Sequence, residues 1–308
     1  MKRNKIEVRV CGLQRSGNHA IIDWIMGQFV DQKVCFLNNV LHGNHDPFLT
    51  ASQIFTYKLD GFLDGRLETK NLNESQRREV REKLKLTEKD VVIYSYEDDL
   101  SKIGNLNSFL ESVYCQDFEA QREIYMGRSA CFYDVIIVRD PYNFFASRLK
   151  RLHERTGIKD VDKILLFWKE IAREAESAKQ FEDSGKIVIS YNDWFSNKIY
   201  RKQLCKKIDG YFSDSSLKQV SVMGKGSSFD RKKFNRNLTV ADIFSKWHKL
   251  LRIRTIDEVN TYLNRLFGAR RMKVLERWKE FAKDERMINI ISDEEVRSLS
   301  HDLFGKVL

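Results

Sequence analysis

The sequence predicts an α/β protein in which a parallel β-sheet is covered by helices on both faces. Apolar runs of strand length alternate with stretches of helical period, the pattern of βα units. Two of those runs end in a turn carrying a cation and a hydroxyl, and each turn opens a helix. Over 308 residues there are two prolines and no Gly/Ser-rich joint. One compact domain spanning 1–308 is therefore the expected organisation.

The elements follow in order. Residues 6–12 read as the first strand, and 17–30 as a helix burying Ile21, Ile22, Trp24, Ile25 and Phe29. The run KVCFLNNV, 33–40, reads as a second strand, and 41–50, with Gly43, Asn44 and Pro47, as a loop. Residues 73–85 are charge-rich with helical period. The run DVVIYSY, 90–96, is a third strand that delivers Glu97, Asp98 and Asp99 together. Residues 133–138 form a fourth strand, 160–180 a long helix and KIVIS, 186–190, a fifth strand. From about 238 onward the period is helical. Strands flanked this way are buried on both faces, as parallel strands are.

Composition bounds the function without choosing it. A hydrophobic fraction of 42% supports a packed core and excludes wholesale disorder. The net charge of +10, from 54 Lys+Arg against 44 Asp+Glu, favours anionic partners: nucleotides, nucleic acids, acidic glycans or membrane surfaces. Five cysteines, Cys11, Cys35, Cys115, Cys131 and Cys205, show no CxxC spacing, which predicts reduced thiols and a cytoplasmic setting. No apolar run approaches the ~20 residues of a membrane span. The basic start, Met1-Lys2-Arg3-Asn4-Lys5, leads into a run broken by Glu7 and Arg9, too polar for a signal peptide.

The first turn holds Gly12 and Gly17 with four residues between them, the glycine spacing of a P-loop. A strand, a tight turn and a helix N-terminus present backbone N–H groups to an anion. The next positions are Asn18 and His19 rather than Lys and Ser/Thr, so the residues that serve β/γ-phosphates and Mg²⁺ are missing. This disfavours a metal-dependent ATPase or kinase. Arg15 supplies a cation from inside the loop. The second turn is Arg139-Asp140-Pro141, with Ser147 eight residues after Arg139. Pro141 suits a first helical position, and Arg139 offers a fork for phosphate oxygens.

Together these segments resemble the sulfotransferase family that uses 3′-phosphoadenosine-5′-phosphosulfate (PAPS). The family's 5′-phosphosulfate loop is written P-K-S-G-T-[ST]. Arg15 stands at the lysine, Ser16 and Gly17 match, Asn18 and His19 fill the hydroxyl positions, and Gln14 replaces the proline. The family's 3′-phosphate site, R-[DN]-P with a serine eight positions after the arginine, matches Arg139, Asp140, Pro141 and Ser147. The segment Ile187–Trp194 resembles the strand and tyrosine near the adenine, with Tyr191 as that tyrosine. Lys225 and Gly226 match the family's R-K-G turn; Gly224 replaces its arginine, and Ser227, Ser228 and Arg231 are candidates to compensate. Residues 276–281 are similar to a late family helix with a packing role. The resemblance implies a P-loop NTPase-like three-layer sandwich, a PAPS cosubstrate and no metal.

It also implies a general base near the end of a middle strand. Glu97 is the first candidate, since neighbouring carboxylates raise one another's pKa. Asp98 and Asp99 are read as an acidic cap on the following helix. His45 is the runner-up, with His19 and His42 as further rivals. His42, His45 and Asp46 have loose metal-ligand spacing but no second ligand pair, which argues against zinc. The acceptor is expected to carry a hydroxyl or amine, with glycans and small molecules both open, and to be held by segments 41–65 and 100–130.

Two other readings compete. One is a nucleotide-dependent kinase with a degenerate P-loop. The other is a polyanion- or nucleic-acid-binding module using the basic stretch 251–279, where interleaved acids and apolar residues better fit a helix surface, so no nucleic-acid partner is expected.

Overall fold

The structure is a computed structural model that describes residues 3–98, 107–154, 161–180, 185–218, 226–227, 232–233 and 275–307. A seven-stranded sheet forms its middle layer. The strands are β1 (Arg3–Gly12), β2 (Val34–Asn38), β3 (Gln53–Tyr57), β4 (Gly65–Glu68), β5 (Val91–Tyr96), β6 (Arg128–Val138) and β7 (Lys186–Ser190). Their spatial order is β4-β3-β2-β5-β1-β6-β7. β1 lies between β5 and β6, parallel to both, with Val8 opposite Ile93 and Tyr133. β2 and β7 are also parallel to their inner neighbours. A short antiparallel pair, Gly226–Ser227 with Lys232–Lys233, stands apart from this sheet.

Helices cover both faces, giving the three-layer α/β sandwich with a largely parallel sheet that the sequence predicts. In chain order they are α1 (Asn18–Met26), α2 (Pro47–Thr50), α3 (Glu74–Leu86), α4 (Phe109–Val113), α5 (Gln116–Met126), α6 (Pro141–Glu154), α7 (Val161–Gln180), α8 (Tyr191–Ser196), α9 (Lys198–Lys207), α10 (Glu285–Ser292) and α11 (Glu294–Phe304). On one face Ile6, Val8 and Val10 of β1 pack with Ile21, Trp24 and Ile25 of α1 and Trp194 of α8. On the other, Tyr94 and Ile136 pack with Phe144 of α6, Trp168 of α7, Met287 of α10 and Leu299 of α11. The expected buried side of the first helix is correct, and Phe29 lies just beyond its last turn. α3 opens on a reciprocal capping box between Asn73 and Gln76.

Two expectations need correction. The segment 41–65 is loop only in part: it contains α2 and β3 and reaches the first residue of β4. β3 and β4 pair antiparallel at the sheet edge, so the sheet is mixed. The signal of β4 was weak because it reads GRLE and stays half-buried throughout. The described part of 100–130 is likewise helical, forming α4 and α5 before β6 begins at Arg128. Glu7 and Arg9, which break the apolar run of β1, are both buried. Arg9 pairs with both carboxylate oxygens of Asp134, Nε at 3.1 Å and Nη2 at 2.8 Å, and also with Glu119. Glu7 accepts from Ser129 Oγ at 2.6 Å and Tyr94 OH at 3.0 Å. A buried charge is tolerable only when paired this fully.

The expected helical C-terminal part is described from residue 275. A 3₁₀ turn, Arg277–Phe281, docks on α6 through Asn143, whose Oδ1 accepts from Arg277 N at 2.7 Å and whose Nδ2 donates to Leu275 O at 2.8 Å. This is the packing role expected of 276–281. The span 238–274 lies outside the described residues. No helix among the described residues is long and apolar enough to cross a membrane.

Candidate functional site

In open α/β sheets, ligands bind at the carboxyl ends of the strands, where the strand order reverses. Here β1 leads to β2 on one side, while β6 and β7 lie on the other. The candidate residues gather at that crevice. Residues 13–17 follow β1, Glu97 and Asp98 follow β5, Arg139 follows β6, and Tyr191 follows β7.

The loop after β1 is tightly curled. Arg15 has φ 78° and Gly17 φ 94°, both left-handed. Ser16, 2% exposed, donates its N–H to Leu13 O at 3.0 Å. Asn18 turns its side chain inward: Nδ2 donates to Gly12 O at 2.8 Å and Leu13 O at 3.1 Å, and reaches Glu97 Oε1 at 3.2 Å. Its amide therefore braces the loop, and what Asn18 presents to an anion is its main-chain N–H. α1 has no side-chain cap and no acidic residue in its first turn. The N–H groups of Gly17, Asn18 and His19 thus open the helix without intrahelical acceptors, an arrangement that suits a phosphate. Gly17 is required on two counts. Its backbone is left-handed, and a Cβ there would lie 2.2 Å from ring carbons of Tyr191.

Glu97 and Asp98 behave differently although adjacent. Glu97 accepts from Asn18, and its Oε1 lies 3.8 Å from His19 Nε2, too far for a hydrogen bond. His42 bonds the main chain here, Nε2 lying 2.9 Å from Glu97 O, with Nδ1 2.8 Å from Ser112 Oγ. Asp98 is 1% exposed, so it is no surface cap. One oxygen accepts from Gln14 N at 2.5 Å, in the first loop; the other pairs with Arg148, on α6. Burial, only partly offset by Arg148 and the Gln14 N–H, pushes its carboxyl up to about 6, with Glu97 adding a smaller upward push. For Asp98 the neighbouring carboxylate is thus secondary to desolvation. Asp99 lies outside the described residues.

Arg139, 4% exposed, directly follows β6. Its Nη1 donates to Arg15 O at 3.0 Å, and its guanidinium sits 4.8 Å from the Tyr191 ring centroid. Trp168 Nε1 holds the Arg139 carbonyl at 3.0 Å. Asp140 is fully buried and accepts from Asn143 N at 3.0 Å, so it starts α6 rather than pairing with Arg139. Ser147 lies two turns into α6 and is 5% exposed. Tyr191, 5% exposed, is packed against Gly17 and lies 5.8 Å from Trp194, itself a core residue.

The structure brings Arg15, Ser16, Gly17, Asn18, His19, Glu97, Arg139 and Tyr191 into one constellation. His45 is exposed on the loop before α2, its N–H held by Gly43 O, while the neighbouring His42 is the histidine that reaches Glu97. Asp46 caps α2 and pairs with Arg81 and Lys85, engagements that leave the His42, His45 and Asp46 trio without a common focus. Lys225 lies outside the described residues, and Gly226 and Ser227 are described only as half of a short strand pair. Sequence reasoning missed the Asp98–Arg148 pair and the His42 contact. No spacing rule links residues so far apart in the chain, although the carboxylate run after β5 marked the place.

No family model matches the chain, and no curated protein matches it. Among solved structures it is similar to mouse sulfotransferase SULT7A1 complexed with PAP, with 11% identity, 92% of this chain and 90% of that chain covered, and a TM-score of 0.41. It is also similar to the sulfotransferase domain from the Synechococcus PCC 7002 olefin synthase, with 12% identity, 92% and 96% covered, and a TM-score of 0.35. A third is the sulfotransferase domain from the curacin biosynthetic pathway, with 12% identity, 92% and 98% covered, and a TM-score of 0.36. Likenesses this distant carry no weight for what the chain binds; the residues of the crevice carry it instead.

Proposed function

We propose that this protein is a sulfotransferase that transfers a sulfuryl group from PAPS to a hydroxyl or amine of an acceptor. The observation that carries this reading is the contact of Arg139 with the Arg15 carbonyl at 3.0 Å, which places the two predicted phosphate corners side by side. A nucleotide phosphorylated at both ends is the ligand that needs two such corners.

The donor set fits that ligand. The main-chain N–H groups of Gly17, Asn18 and His19, with Arg15 and Ser16, would hold the 5′ end. Arg139 and Ser147 would hold the 3′-phosphate, and Tyr191 would stand at the adenine end. Lys225, Gly226 and Ser227 would complete the 3′ clamp. The cosubstrate supplies an activated sulfuryl group whose departure leaves a charged phosphate. The protein's part is to align the acceptor in line and to balance the charge that develops. Arg15 and the helix N-terminus would meet that charge. Glu97 would receive the acceptor's proton. No Lys-Ser/Thr pair stands at the end of the loop to bind Mg²⁺, so a metal is not part of the proposed reaction.

The acceptor would be a hydroxyl-bearing molecule, a carbohydrate among them, and the setting cytoplasmic. The test is thermal: titration with adenosine 3′,5′-bisphosphate should raise the melting temperature by mass action without Mg²⁺. Equal stabilisation by ATP-Mg²⁺ and none by the bisphosphate would favour a kinase and end this reading.

A further inference from the structure

Resting on that reading, we infer that Asp98 is a positioning residue that locks the first phosphate loop to the helix bearing Ser147, so that both ends of one bisphosphorylated nucleotide are bound as a unit. The carboxylate stands between two elements that the chain joins only distantly. One oxygen holds Gln14 N, within the curled loop, at 2.5 Å. The other pairs with Arg148, the residue after Ser147 on α6. Both side chains are buried, with 1% of Asp98 and 8% of Arg148 exposed. A buried pair of this kind contributes little net stability, and its best-attested use is to select one arrangement over others.

The arrangement it selects is the functional one. The loop is held with Arg15 in a left-handed conformation that a non-glycine residue adopts at a cost, so something outside the loop must sustain it. Asp98 does so at Gln14, while Arg139 does so at Arg15 O. Arg148 lies over the Phe144 ring at 5.4 Å, which fixes the guanidinium along α6. Movement of the loop relative to α6 would break the Asp98 strap. The strap therefore sets the spacing between the two phosphate sites. Linked sites gain affinity only when their spacing matches the ligand that spans them.

The substitution Asp98→Asn separates the two bonds. The amide oxygen can still accept from Gln14 N, but the amide nitrogen would face the Arg148 donors, and the strap to α6 is lost. The test is calorimetric titration of the full chain with adenosine 3′,5′-bisphosphate, adenosine 5′-monophosphate and adenosine 3′-monophosphate. In Asp98→Asn, bisphosphate affinity should fall at least about tenfold while each monophosphate changes by less than about threefold. In Asp98→Ala, which also frees Gln14, the 5′-monophosphate should weaken too. Arg148→Gln should reproduce the Asp98→Asn split and serves if that variant does not fold; Arg148→Lys should restore part of the bisphosphate affinity. An equal loss for all three ligands, or an unchanged bisphosphate affinity, overturns the inference. Failure of the native chain to bind the bisphosphate would instead refute the nucleotide reading on which it rests.

Discussion

The guanidinium of Arg139 donates to the carbonyl of Arg15 at 3.0 Å across 124 residues of sequence. The sheet makes this contact, because β1 and β6 are neighbours with Gly12 opposite Ile137, and both chains turn out of the sheet at the same edge. One arginine's side chain thus bonds the other's main chain and joins the loop after β1 to the end of β6.

Arg139→Lys keeps the charge but loses the planar fork. It should weaken adenosine 3′,5′-bisphosphate binding by about 10–100-fold, and Arg139→Ala or Arg15→Ala should abolish most ligand-induced stabilisation. Melting curves with and without ligand check this, and an unshifted affinity in Arg139→Lys would remove the fork from the site.

Glu97→Gln retains an oxygen for Asn18 Nδ2 and removes the basic carboxylate. Turnover should fall by about 10²–10⁴ while bisphosphate affinity stays within a few-fold. Full turnover in this variant would shift the role to His19 or His45.

Gly17→Ala places a methyl group 2.2 Å from the Tyr191 ring on a backbone at φ 94°. Unfolding in denaturant should show a loss of about 2–4 kcal/mol. The double variant with Tyr191→Ala should lose less than the sum of the singles, since the clash is shared.

Asp23, on α1 one turn beyond His19, has its carboxyl pushed up to about 6 by burial, with His19 pulling the other way. Its folded pKa exceeds the unfolded one, so the folded state holds the proton more tightly. The native chain therefore loses stability from this group as pH rises from about 4 to about 6. Asp23→Asn lacks that titration. Relative to the native chain it should gain about 1–2 kcal/mol between pH 4 and pH 7, measured by denaturant unfolding at each pH. A constant difference across that range would show that Asp23 is not the titrating group.

Much of the fold was legible because its signals are local. The runs VVIYSY and KIVIS are continuous and largely apolar; β5, which covers the first, is buried throughout, and β7 covers the second. The amphipathic first helix declared its own buried side. The short strands β3 and β4 did not, because a short strand draws its stability from the neighbours it pairs with, and no local pattern names those neighbours. The same division runs through the site. The spacing of Gly12 and Gly17, and of Arg139 and Ser147, was readable because each turn is built by consecutive residues.

What only the tertiary structure decided is which groups share a burial site. Asp98 looked like a helix cap and Glu7 and Arg9 like breaks in a strand, because sequence shows charge but not solvent. The sheet buries Arg9 against Asp134, and the crevice buries Asp98 between Gln14 and Arg148. From the sequence alone came the two phosphate-type corners and the strands that carry them. Their meeting, and the roles of adjacent carboxylates, followed from which strands lie side by side, since the energy of a charge depends on the partners and the water around it.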